Sequence, residues 1–179
     1  EDRVYTLDFP NKEIENGFLE VVLQKFVKVP DDDVGLAVWN LKDALRKPDI
    51  DKALSIIKAG IADLPTIYKK DQCENYYESV THIMLRMTGF RVAAELQSFA
   101  GRSDIVLVVN NDVFIFELKM DHGKPFEQVA EDALNQIDAN GYSERFAVSG
   151  KVMHKIAVVF SSDAKGMVGW KNRQEGPHS

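Results

Sequence analysis

The segment Gly101–Asp121, GRSDIVLVVNNDVFIFELKMD, decides the fold. Two runs rich in β-branched and aromatic residues, Ile105–Val109 and Val113–Leu118, flank the turn signal Asn110-Asn111-Asp112. Such a pairing of apolar runs about a short Asn/Asp turn reads as a β-hairpin. Three charged residues, Asp104, Glu117 and Lys119, sit inside it. Side chains along a strand alternate faces, so Glu117 and Lys119 point the same way. With Asn110 and Asn111 as the loop, Val109 pairs with Asp112 and Val108 with Val113. Further down the ladder Asp104 falls opposite Glu117, with Cβ atoms about 4.5–5.5 Å apart. A loop longer by two residues keeps this pairing, and one longer by a single residue breaks it.

Two carboxylates directly opposed destabilise a sheet unless something neutralises them. A hard divalent cation, Mg²⁺ or Mn²⁺, held by carboxylate oxygens would do so. Lys119 bridging Asp104 and Glu117 at a solvated sheet edge would do so too, and that explains many isolated D…ExK spacings. The Gly101-Arg102-Ser103 lead-in, the hairpin context and the apolar flanks shift the balance toward a site, because buried charges are rarely left without partners or a role.

The segment resembles the signature of the PD-(D/E)XK nuclease superfamily, with Asp104 on one strand and Glu117-Leu118-Lys119 on the next. YTLDFPNKEI (5–14), NYYESV (75–80), TGFRVAAE (88–95) and ALNQIDANGYSERF (133–146) extend the likeness over nearly the whole chain. They bring it closest to a prokaryotic branch in which such a domain follows an AAA-ATPase-like domain. The resemblance implies an α/β fold: a restriction-endonuclease-like α/β/α sandwich with a mixed central sheet, preceded by a small helical region. The expected division is a helical extension over 1–70, a nuclease-like core over 71–171 and a polar tail over 172–179.

It also implies metal-dependent hydrolysis of phosphodiester bonds, in DNA. Asp104, Glu117, the Leu118 backbone carbonyl and Glu78 would be the ligands of Mg²⁺ or Mn²⁺. Lys119 would hold or deprotonate the attacking water or stabilise the phosphate, and Gln136 would orient either. Arg102 and Tyr142 would meet the substrate. The spacing from Gln136 to Tyr142 is wider than the QxxxY of a better-known branch. Partners would be nucleic acid and an upstream ATPase-like domain. Two other readings stand beside this one: a catalytically silent domain that binds nucleic acid or couples to that ATPase, and a structural domain whose Asp104, Glu117 and Lys119 form an ion-pair network without metal.

Composition sets wider bounds. The chain has 179 residues, 45% of them hydrophobic, enough for one packed domain with a helical extension. No apolar run is long enough to cross a bilayer and no signal peptide is evident, so the expectation is a soluble, cytoplasmic protein. A lone cysteine, Cys73, rules out an internal disulfide framework and a cysteine-based zinc site. The four histidines show no ligand spacing. A net charge of -6 argues against a general nucleic-acid binder. It leaves a nuclease open, since metal sites concentrate carboxylates and Arg86, Arg91, Arg102, Lys119, Lys124 and Lys151 fall around the hairpin. A first residue of Glu rather than Met reads as an excised piece or a processed chain.

Outside the hairpin, apolar periodicity predicts a helix over 11–27 with Asn11 as N-cap, and one after Pro30 carrying Val34, Leu36, Ala37, Trp39, Leu41 and Leu45. A third, ending near Ala62, turns Ala53, Ile56, Ile57 and Ile61 inward. These helices hold no clustered catalytic residues and should pack beside the core or against the absent domain. A fourth, from Gln72 to Thr88, faces the core through Tyr76, Val80, Ile83, Met84 and Met87, with Gly89 as its C-cap. Glu78 lies off that stripe, either in the site or in solvent. A strand over Phe90–Gln97 follows, with Glu95 lining the cleft or capping an edge. Arg102 either meets a phosphate or pairs with an acid.

After the hairpin, Pro125 at the first helical position opens a helix to Ala139. Its Gln136 either reaches the site or bonds a neighbouring backbone group. Lys155–Phe160 reads as a buried strand and Met167–Trp170 as a short last one, with Asn172–Ser179 fraying.

Overall fold

The computed structural model describes residues 31–62, 73–97, 102–140, 150–161 and 166–176, with isolated positions between Asn11 and Val21. Residues 31–33, 73–75, 93–97 and 102–104 are described in backbone only. Among the continuously described residues, four helices, α1 (Asp31–Arg46), α2 (Ile50–Ala62), α3 (Cys73–Met87) and α4 (Phe126–Ala139), accompany five strands. The strands are β1 (Arg91–Gln97), β2 (Arg102–Val109), β3 (Asp112–Met120), β4 (Val152–Ser161) and β5 (Gly166–Glu175). They form a mixed sheet in the order β1-β2-β3-β4-β5. Only β3 and β4 run parallel, with α4 lying between them in the chain, and the other pairs are antiparallel.

The hairpin has the expected register, with Val109 opposite Asp112 and Val108 opposite Val113. Asn110 takes φ 53, a left-handed conformation that a short polar side chain tolerates. The turn is tied to β4, since Val152 N–H donates to the Asn111 carbonyl at 2.9 Å and Lys151 Nζ to the Asn110 carbonyl at 2.8 Å.

Alternation along the strands divides the core into two layers. Phe114, Phe116, Leu118, Val158 and Phe160 pack against α1, α2 and α3, whereas Val113, Ile115, Ala157 and Val159 pack against α4. A strand covered on both faces needs apolar residues at consecutive positions, which is why β3 reads as an unbroken run. The arrangement is the α/β/α sandwich. Val34, Leu41 and Leu45 of α1 and Leu54, Ile57 and Ile61 of α2 share one core with the sheet. None of the described helices is long and apolar enough to cross a membrane.

Helix ends follow the sequence closely. Gly89, at φ 76, ends α3, and Ile14 N–H donates to Asn11 Oδ1 at 2.9 Å, an N-cap bond. The rest of the helix expected over 11–27 lies outside the described residues, apart from Glu13, Gly17 and Val21, which are helical. Pro125 occupies the N-cap of α4, one residue before the helix it was expected to begin.

Two expectations are corrected. Leu36 and Trp39 are 59% and 62% exposed. At about 100° per residue they fall on the side of α1 opposite Val34, Leu41 and Leu45, so only the latter reach the core. The final strand does not stop at Trp170 but continues to Glu175. Lys171, Arg173 and Glu175 alternate with the exposed Asn172 and Gln174 and turn toward partners on the neighbouring elements.

A half-buried histidine gives stability a pH dependence. Burial, and then the nearby Arg86 charge, hold the His82 imidazole below its usual 6.5. The unfolded chain takes up this proton as the pH falls through about 6.5, before the native state does. The stability owed to neutral His82 is therefore complete above that value and lost as the pH falls toward the depressed native one. Urea midpoints should fall between pH 7 and pH 5, and His82→Gln should flatten the fall. An equally steep fall in His82→Gln would exonerate this residue.

Candidate functional site

Glu117 lies near the C-terminal end of β3 and is 0% exposed, a rare condition for a carboxylate. Lys119, two residues on and on the same face, brings Nζ to 2.8 Å from Glu117 Oε1, and its side chain is a third exposed. The pair thus runs from the buried carboxylate toward solvent. Glu117 is opposite Ala157 of β4 and Lys119 opposite Val159. The small Ala157 leaves room beside the acid. On the other side the described β2–β3 ladder ends at Ile105 opposite Phe116, one residue short of Asp104 and Glu117. The side chains of Asp104 and Arg102 lie outside what is described, as does that of Glu95, and Tyr142 lies wholly outside the described residues.

Helix α4 covers this face through Val129, Ala130, Ala133, Leu134 and Ile137. One flank is fixed to the far edge of the sheet by ion pairs. Lys171 Nζ is 2.9 Å from Glu127 and 3.3 Å from Glu131, and Arg173 meets Glu131 and, at 3.1 Å, Asp138. The buried Lys155 joins Asp138 at 2.5 Å and also Glu175. The helical repeat puts Asp132 and Gln136 on the opposite flank, both exposed. There a pocket of about 210 Å³ opens between Lys119, Asp121, His122, Lys124, Val129 and Asp132. Gln136 stands one turn beyond Asp132 along this flank.

Glu78 is half-buried on α3, whose apolar face packs against the sheet face opposite Glu117. The structure therefore unites Glu117 and Lys119, sets Gln136 on the flank that borders their pocket, and leaves Glu78 on the other layer. The Leu118 side chain is buried in that other layer too, leaving its backbone between the two charged residues. Among the described residues no group of three or more His, Cys, Asp or Glu is placed to hold a metal ion.

Sequence reasoning gave His122 and Asp132 no role and counted Lys124 only among the basic residues around the hairpin. His122 and Gly123 both take positive φ, 45 and 77. The turn they make is held by Lys124 N–H to the Asp121 carbonyl at 2.8 Å and by Asp121 N–H to the Phe160 carbonyl at 2.9 Å. The signal available was a Gly-containing break immediately after the signature lysine.

A buried Glu two residues before a Lys, on a strand hairpin-paired to one bearing an Asp, in an α/β/α sandwich, defines a class of nuclease-like domains. Residues 72–170, over half of the chain, match the model of the PD-(D/E)XK nuclease superfamily, and the chain belongs to that superfamily. It is also similar to a protein of Azotobacter chroococcum mcd 1 described as an uncharacterized protein in the vnfD 5′ region, at 28% identity over 170 residues. That match covers 93% of this chain and 32% of the relative, so the chain spans about a third of the relative's length.

Proposed function

We propose that the chain is a metal-dependent nuclease that hydrolyses phosphodiester bonds in DNA, using Mg²⁺ or Mn²⁺. The observation that carries this reading is the fully buried Glu117 carboxylate with Lys119 Nζ 2.8 Å away at its solvent side. A buried acid, joined by the carboxylate that the sequence register assigns to Asp104, would suit a hard cation. Asp104, Glu117 and the Leu118 carbonyl would hold it, with Glu78 helping directly or through water. When bound, a divalent cation neutralises phosphate charge and lowers the pKa of a coordinated water.

Lys119 then holds that water, removes its proton, or donates to the phosphate as negative charge builds there. Gln136 orients the water or the phosphate from α4, and Arg102 and Tyr142 contact the substrate. The product would carry a 5′-phosphate end. The setting we propose is cytoplasmic, alongside an upstream ATPase-like domain.

The Lys119–Glu117 ion pair favours a second reading, in which lysine alone neutralises the acid and the domain is silent. Calorimetric titration of Mg²⁺ and Mn²⁺ separates the two. Wild type should bind and Asp104→Ala should lose at least about tenfold in affinity. No binding to wild type, with or without a DNA oligonucleotide present, would leave only the silent domain.

A further inference from the structure

Beyond Lys119 the pocket contains a histidine and a lysine, His122 and Lys124, that the proposed chemistry does not use. Among the described residues the side chains of His122 and Lys124 make no hydrogen bond or ion pair, although both line a cavity with Lys119. Lys171 and Arg173, by contrast, have carboxylate partners. The turn from Asp121 to Lys124 positions both side chains at the pocket. Its Asp121 is already engaged, accepting from Gly123 N–H at 3.3 Å. The neighbouring α4 has Pro125 as N-cap and no side-chain cap, so its first N–H groups add positive potential nearby. Asp132 is the opposing charge on the rim.

We infer that His122 and Lys124 form a phosphate subsite: they grip the nucleic-acid backbone one phosphate away from the bond positioned at Glu117 and Lys119. The inference rests on the nuclease reading above and adds a specific contact to it. The donors suit a phosphodiester, which offers two free oxygens to one ammonium and one imidazole N–H. A contact to the backbone alone carries no base information, so it fixes the strand's register in the site without choosing its sequence. Asp132 limits the grip and lets the product leave.

The test uses the whole chain and a fluorescein-labelled DNA hairpin with a single-stranded tail. Binding is followed by anisotropy across a salt series, and cleavage with Mg²⁺ is measured in parallel. Lys124→Ala with His122→Ala should weaken binding by roughly tenfold and lower the slope of log affinity against log salt by about 1. The loss should fall on KM rather than kcat. Asp132→Asn should tighten binding, and Lys58→Ala on α2 should match wild type. If wild type binds and cleaves but the double variant keeps its KM and salt slope, the subsite is overturned and the nuclease reading stands. If wild type neither binds nor cleaves, the nuclease reading fails and takes the subsite with it.

Discussion

Glu117→Ala is expected to abolish DNA cleavage, by at least about 10³-fold, because the metal contribution it supports is worth several kcal/mol of barrier. The same change should hardly disturb the fold. It removes a buried charge together with its desolvation penalty, and Lys119, a third exposed, can turn fully to water. Thermal unfolding should therefore stay within about 1 kcal/mol of wild type. Glu117→Gln keeps the volume and loses the charge, and it should be equally inactive. Cleavage measured on a labelled duplex and on single strands, with Mg²⁺ and with Mn²⁺, checks this directly. A variant that folds and still cleaves would remove Glu117 from the site.

The largest expected effect on stability belongs to Lys155→Ala. Lys155 is 3% exposed and joins Asp138 on α4 to Glu175 on β5. Burial lowers its pKa, but the hydrogen bonds that it donates to Asp138 and Glu175 outweigh this and raise it overall. With the native value above the unfolded one, the stabilisation is complete below about pH 10.4 and is lost as the pH climbs through the raised value. Removing one member of a buried ion pair costs about 3–5 kcal/mol. Both carboxylates here are 39% exposed, and solvent screening reduces the expected loss to about 2–3 kcal/mol. Lys155→Met keeps the packed stem and should lose about 1 kcal/mol. Urea unfolding at pH 7 gives both numbers. A loss below about 0.5 kcal/mol for the alanine variant would mean that water already satisfies Asp138 and Glu175.

The hairpin and its register were legible because period-2 alternation and a two-residue Asn turn are local signals that act in the same direction. So were α3 and its Gly89 cap. The hydrophobic count of α1 misled because Leu36 and Trp39 are apolar yet lie on the wrong side of the helical repeat, and only a partner surface tells the two sides apart. The extent of β5 was hidden because its inward positions are Lys171, Arg173 and Glu175, which look like solvent-facing residues until α4 and β4 supply their counter-charges. Lys155 read only as the start of an apolar run, since its partners lie 17 and 20 residues away on other elements. For the site, the spacing of Glu117 and Lys119 was enough to place them on one face. The pocket beside them needed the turn at His122 and the flank of α4, which no strand or helix period reveals.

The charged inward positions of β5 also bear on how the outer strand keeps its alignment. A one-residue slip would exchange Lys171, Arg173 and Glu175 for Asn172 and Gln174 and would break the ion pairs to α4 and β4 at once. Most edge strands are held in register by burying oil on one face. This one is keyed by sign, so its fidelity depends on ionic strength, and concentrated salt loosens the lock on the last strand while the hairpin stays shut.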